Sequence, residues 1–156
     1  MPHATTNILM EIPFLLVVIC MLTTIVSSIG CGYMRRRSIK KSVLLDIPNL
    51  RSLHEQPMSR AGGAPMALAA ILAVVFLGLV RPHLIPPKWL LTIGVGGSLV
   101  AWIGWLDDKS SLSAQKRFIV HIIAAVWAVV QLIPEDVPLL YRFLAGFWVA
   151  WSINFY

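Results

Sequence analysis

The sequence predicts an all-α, polytopic membrane helix bundle of about five transmembrane helices, with the N-terminus outside. Three observations carry that prediction. Hydrophobic residues make up 58% of the 156 positions and charged residues 13%, with a mean hydropathy of +0.78, unlike the balance of a water-soluble domain. The apolar residues fall into five stretches, 8–30, 64–80, 89–106, 118–133 and 139–156. The basic residues concentrate in alternate connections between them.

Taken in order, the 8–30 stretch has no basic residue before its apolar run, and its Arg and Lys residues follow it. That pattern marks a retained span with a translocated N-terminus, not a cleaved signal peptide. Most of the stretches approach the roughly 17 to 25 residues that cross about 30 Å of hydrocarbon. The 118–133 stretch is short and is expected to borrow flanking residues.

Arg35, Arg36, Arg37, Lys40, Lys41, Arg51 and Arg60 fall in the first connection, and Lys109, Lys116 and Arg117 in the third. The second carries only Arg81 and Lys88, and the fourth, PEDVP, has Glu135 and Asp136 with no basic residue. The excess of positive charge places the first and third connections in the cytosol. The formal net charge of +6 is therefore a topology signal, and with no aromatic-interleaved basic groove it points to no nucleic-acid partner. Cys20 and Cys31 read as small apolar residues, since neither their spacing nor their location fits a redox pair or zinc site. With no internal repeat and no low-complexity linker, residues 1–156 read as a single transmembrane domain.

Two polar islands interrupt this apolar chain on the same expected side. Asp107 and Asp108 stand where the 89–106 helix should leave the membrane, although the last turn of a helix carries unsatisfied carbonyls that attract cations. Two readings of the pair stand. Hard carboxylate oxygens suit Mg²⁺, or Mn²⁺, bridging to phosphate; alternatively the pair is a solvated helix end, partly neutralised by Lys109.

The other island spans residues 46–63, DIPNLRSLHEQPMSRAGG. Arg51, His54 and Arg60 lie there among Pro48, Pro57, Gly62 and Gly63, residues that fix or permit unusual backbone geometry, and they read equally as phosphate ligands or as a solvated loop. Gly62 and Gly63 lead into the second span, with Pro65 near its first turn, so free N–H groups at that helix start form a potential anion site. The RRRSIKK cluster reads as a membrane-surface anchor. Gly94, Gly97 and Ser98 are expected to permit close helix packing. Arg117 and His121, one turn apart, either face the same site or serve as an interfacial arginine and a buried histidine.

LLDIPNLRSLHEQPMSRAGGAPM followed by GWLDDKSSLSAQKR resembles the first two cytosolic motifs of the bacterial polyprenyl-phosphate N-acetylhexosamine-1-phosphate transferases, particularly the branch initiating O-antigen and related glycans. Phospho-MurNAc-pentapeptide translocase is a more distant relative. The resemblance implies a multi-pass protein of the bacterial inner membrane with cytosolic active-site loops. Its reaction transfers N-acetylhexosamine-1-phosphate from a UDP-N-acetylhexosamine to undecaprenyl phosphate, with Mg²⁺ as cofactor. By the same resemblance, Asp107 and Asp108 carry metal binding and catalysis, while Arg51, His54, Arg60, Gly62 and Gly63 contact phosphates or position the loop. WSINFY looks like the approach to that family's second acidic motif, D-G-x-D-G, so the resemblance implies the N-terminal half of such an enzyme, inactive alone. A noncatalytic membrane scaffold or partner subunit is the alternative reading.

Overall fold

A computed structural model describes the backbone of residues 2–48 and 55–155, and the side chains from residue 12 onward within them. Five main helices run in order: α1 (Pro2–Lys41), α2 (Gly63–Val80), α3 (Pro87–Ser110), α4 (Ala114–Leu132) and α5 (Leu139–Asn154). Between α1 and α2, strands β1 (Leu45–Asp46) and β2 (Met58–Ser59) pair antiparallel, Leu45 opposite Ser59 and Asp46 opposite Met58. Successive helices pack side by side, α1 on α2, α2 on α3, α3 on α4 and α4 on α5.

Four helices, α1 from Ile12 through α4, are long and apolar enough to cross a membrane. The fifth expected span is helical, but its 16 residues extend only about 24 Å at 1.5 Å per residue, short of the hydrocarbon core. The fourth does borrow neighbours, since α4 begins at Ala114.

The first helix differs from expectation at its polar end. It continues eleven residues past Gly30, so Arg35 to Lys41 are helical and not part of a connecting loop. Arginine and lysine are good helix formers, and Lys40 and Lys41 complement the negative end of the helix dipole. Ser42 then turns left-handed at φ 52°. The Val43 N–H reaches the Ser38 carbonyl (3.1 Å) and the Ser42 N–H the Ile39 carbonyl (3.3 Å), the paired bonds that close a helix C-terminus. Ser38, 1% exposed, donates its hydroxyl to the Val43 carbonyl, with the Leu44 carbonyl at 3.2 Å.

The packing is that of a membrane bundle. Among the described residues, the fully buried apolar positions are Ala61, Ala69, Ile103, Ala124, Ala125 and Ala150, whereas Phe14, Leu72, Phe76 and Trp148 are exposed. Where lipid is as apolar as leucine, large side chains need not leave it, and small residues let helix backbones approach. Gly30 shows how close: a Cβ there would lie 2.9 Å from the Pro65 Cβ of α2.

The middle of α3, Thr92–Gly97, is wound as a π-helix. The Trp127 indole N–H of α4 donates to the Leu91 carbonyl at the start of this segment (3.3 Å), supplying a partner for a backbone group in lipid. Gly96 gives that ring its room, since a Cβ there would stand 3.2 Å from Trp127 Cδ1. Of the glycines expected to mediate packing, Gly97 touches Ile71 of α2, while Gly94 has open space beside it.

Candidate active site at one end of the bundle

α2 and α3 pack together across the short 81–86 connection, so the start of α2 and the end of α3 lie at the same end of the bundle. The link between α1 and α2 is described at residues 42–48 and 55–62. Its two-residue ladder is extended by the Arg60 N–H, which donates to the Leu44 carbonyl (2.9 Å). The register sets Asp46 beside Arg60, and the guanidinium donates to the Asp46 carboxylate. Arg51 and His54 lie outside the described residues.

Gly62 and Gly63 begin α2 with ordinary right-handed geometry at Gly62 (φ −74°) and no side-chain cap. The expected unusual backbone angles occur instead at Ser42, Leu44 and Ser111, because the chain reverses direction where it leaves α1 and α3. Among the described residues, no neighbour lies within 4 Å of a Cβ built on Gly62 or Gly63, so their packing does not demand glycine there. The bare backbone leaves the amides at a helix N-terminus open to an anion. Cys31 is more than an apolar filler: its thiol donates to the Gly62 carbonyl (3.3 Å), tying α1 to the start of α2.

Asp107 and Asp108 occupy the last turn of α3 and are both partly buried. Their surroundings differ. Asp107 accepts the Leu112 N–H on Oδ1 and an Arg117 guanidinium N–H on Oδ2, each at 2.7 Å, and its carbonyl accepts the Ser111 N–H at 2.8 Å. Asp108 has no hydrogen bond or ion pair among the described residues.

Lys109 does not neutralise the pair; its ammonium lies over the Trp105 ring, 5.2 Å from the centroid, a cation–π arrangement. Among the described residues, Arg60 is paired with Asp46 and Arg117 with Asp107.

Arg117 and His121 part company, although they share a face of α4. Arg117 turns to Asp107, and His121 Nδ1 lies 3.2 Å from Asn154 Oδ1 at the end of α5. Asp46 was missing from the residues expected at the site. Nothing local marks it, because its partner stands 14 residues away and meets it only through the ladder. No group of three or more His, Cys, Asp or Glu residues gathers among the described residues. Of the described residues here, the Asp108 carboxylate is the one that would take Mg²⁺, an ion that accepts one or two carboxylates together with water and phosphate oxygens.

The chain is similar to a probable undecaprenyl-phosphate N-acetylglucosaminyl 1-phosphate transferase of Bacillus subtilis (strain 168), at 29% identity over 114 residues. The match covers 70% of this chain and 30% of that protein, a distant relation to the transferases that the two motifs resemble. The chain spans well under two thirds of the length of this curated relative. No protein-family model matches the chain, and no solved structure matches it.

Proposed function

We propose that this chain supplies the first helices and the acidic-pair site of a membrane transferase that moves N-acetylhexosamine-1-phosphate from a UDP-sugar to undecaprenyl phosphate. The observation that supports it most is the packing of α2 on α3, which sets the first polar island, with Arg60, and the acidic pair at the same end of a membrane bundle. The similarity to the Bacillus protein adds the substrate class. The site faces the cytosol, where UDP-sugars are found, and the product initiates O-antigen or another cell-envelope glycan.

In the reaction, an oxygen of the lipid phosphate forms a bond to the β-phosphorus of the UDP-sugar. The bond from that phosphorus to the bridging oxygen breaks, and UMP leaves with the electron pair. Arg60 and the open amides of α2 bind and orient phosphate oxygens, and such prepositioned donors act on charge as it develops. The acidic pair would serve Mg²⁺ through the carboxylate of Asp108, and the ion would supply charge neutralisation at the diphosphate. The early helices act as part of a longer parent, in keeping with the 30% coverage of the relative, and are inactive alone.

The test is UMP release by the purified parent protein, given UDP-N-acetylglucosamine and undecaprenyl phosphate in detergent. Turnover that needs the lipid and Mg²⁺ is expected. No UMP from the parent with either UDP-N-acetylglucosamine or UDP-N-acetylgalactosamine would overturn the reading, as would clear turnover by residues 1–156 alone.

A further inference from the structure

We propose that the two carboxylates of the acidic pair divide their work: Asp107 is a positioning residue, held by Arg117 and the Leu112 amide, and Asp108 alone presents its carboxylate to the ligand. This division rests on the transferase reading of the site and names which residues shape it.

Both oxygens of Asp107 have strong partners, and its carbonyl caps the left-handed Ser111. One residue therefore fixes the whole Ser111–Ser113 turn between α3 and α4. Its partner is equally out of place. A carboxylate at a helix C-terminus and an arginine in the first turn of the next helix each oppose the local dipole. Paired with one another, each offsets the other's misfit, and the charge-assisted bond at 2.7 Å is of the strong, directional kind.

Adjacent positions on a helix point about 100° apart. With Asp107 committed to the turn, Asp108 is directed elsewhere. It keeps both oxygens free among the described residues. Arg117 becomes a further positioning residue of the site, although it need not touch substrate.

The experiment combines two measurements on Asp107→Asn, Arg117→Gln, Asp108→Asn and the double variants. The first is the melting midpoint of the detergent-purified chain, which requires no turnover. If Asp107 acts through Arg117, the Asp107→Asn/Arg117→Gln double variant melts no lower than the worse single variant, whereas Asp108→Asn and Arg117→Gln add. Should Arg117→Gln not fold, Arg117→Lys, which keeps the charge, replaces it and is expected to restore part of the midpoint. The second is Mn²⁺ binding, by electron paramagnetic resonance, to the full parent with inorganic pyrophosphate present. A lost ligand costs at least as much as a lost outer partner, about 10-fold or more in affinity, so Asp108→Asn weakens Mn²⁺ binding strongly and Asp107→Asn much less.

Additive melting effects of Asp107→Asn and Arg117→Gln, or equal losses of Mn²⁺ in the two aspartate variants, would overturn the division. Absence of UMP release by the wild-type parent would count against the proposed function only. The melting cycle would still decide whether Asp107 is committed to Arg117.

Discussion

Gly30→Ala is expected to loosen the site from a distance. The added Cβ would lie 2.9 Å from the Pro65 Cβ, against about 3.5–4.0 Å for carbon atoms in ordinary contact. Something must move by roughly 0.5–1 Å. Pro65 belongs to a rigid ring fixed to its own backbone, so the yielding parts are the helices α1 and α2, and overpacking of this kind costs about 1–3 kcal/mol.

Alanine also gains up to about 1 kcal/mol of helix propensity over glycine. The net expectation is a loss of about 0–2 kcal/mol. Gly32→Ala is the control, because nothing lies within 4 Å of its Cβ position, and it keeps only the propensity gain. The two variants should therefore differ by the clash, about 1–3 kcal/mol, or roughly 2–12 °C in melting midpoint for a chain of this size. Fluorescence-detected thermal stability in detergent reads it. Because Pro65 stands two residues beyond Gly63, transfer by the full parent should fall in Gly30→Ala and hold in Gly32→Ala. Equal midpoints for the two variants would refute the close approach of α1 and α2.

In the full parent, Asp108→Asn should lower kcat by about 10²–10³, the cost of losing one electrostatic group aimed at a transition state, and Asp107→Asn should also depress it strongly; Arg36→Ala, on the exposed extension of α1, should change it little, and steady-state UMP release measures all three. A cysteine at Glu55, with Cys20 and Cys31 replaced by alanine, should resist a membrane-impermeant thiol reagent in intact cells, and labelling there would reverse the topology. Trp127→Phe keeps the ring but removes the donor to the Leu91 carbonyl, so it should cost about 0.5–1.5 kcal/mol, seen as a lower melting midpoint and faster amide exchange in Thr92–Gly97.

The sequence by itself determined where the chain can cross a membrane and which residues interrupt that pattern. Apolar transfer is a local sum along the chain, so the 64–80, 89–106 and 118–133 stretches map onto α2, α3 and α4 within a few residues. The close of the apolar run at Asp107 and Asp108, in the last turn of α3, and the start of α2 at Gly63 were legible for the same reason. The 8–30 stretch marked the apolar part of α1 but not its continuation through Lys41, because hydropathy registers lipid affinity and helix propensity runs on past it.

Only the tertiary structure decided which polar groups meet. Asp107 and Arg117 are 10 residues apart, Asp46 and Arg60 are 14, and Trp127 and Leu91 are 36. Each pairing depends on a turn, a strand register or a helix crossing that no periodicity encodes. A hydrogen bond needs its atoms placed within a few tenths of an ångström, whereas burial in lipid asks only that a side chain be apolar. That difference in tolerance is why the sequence shows the spans and hides that Asp107 is held by Arg117 and the Leu112 amide.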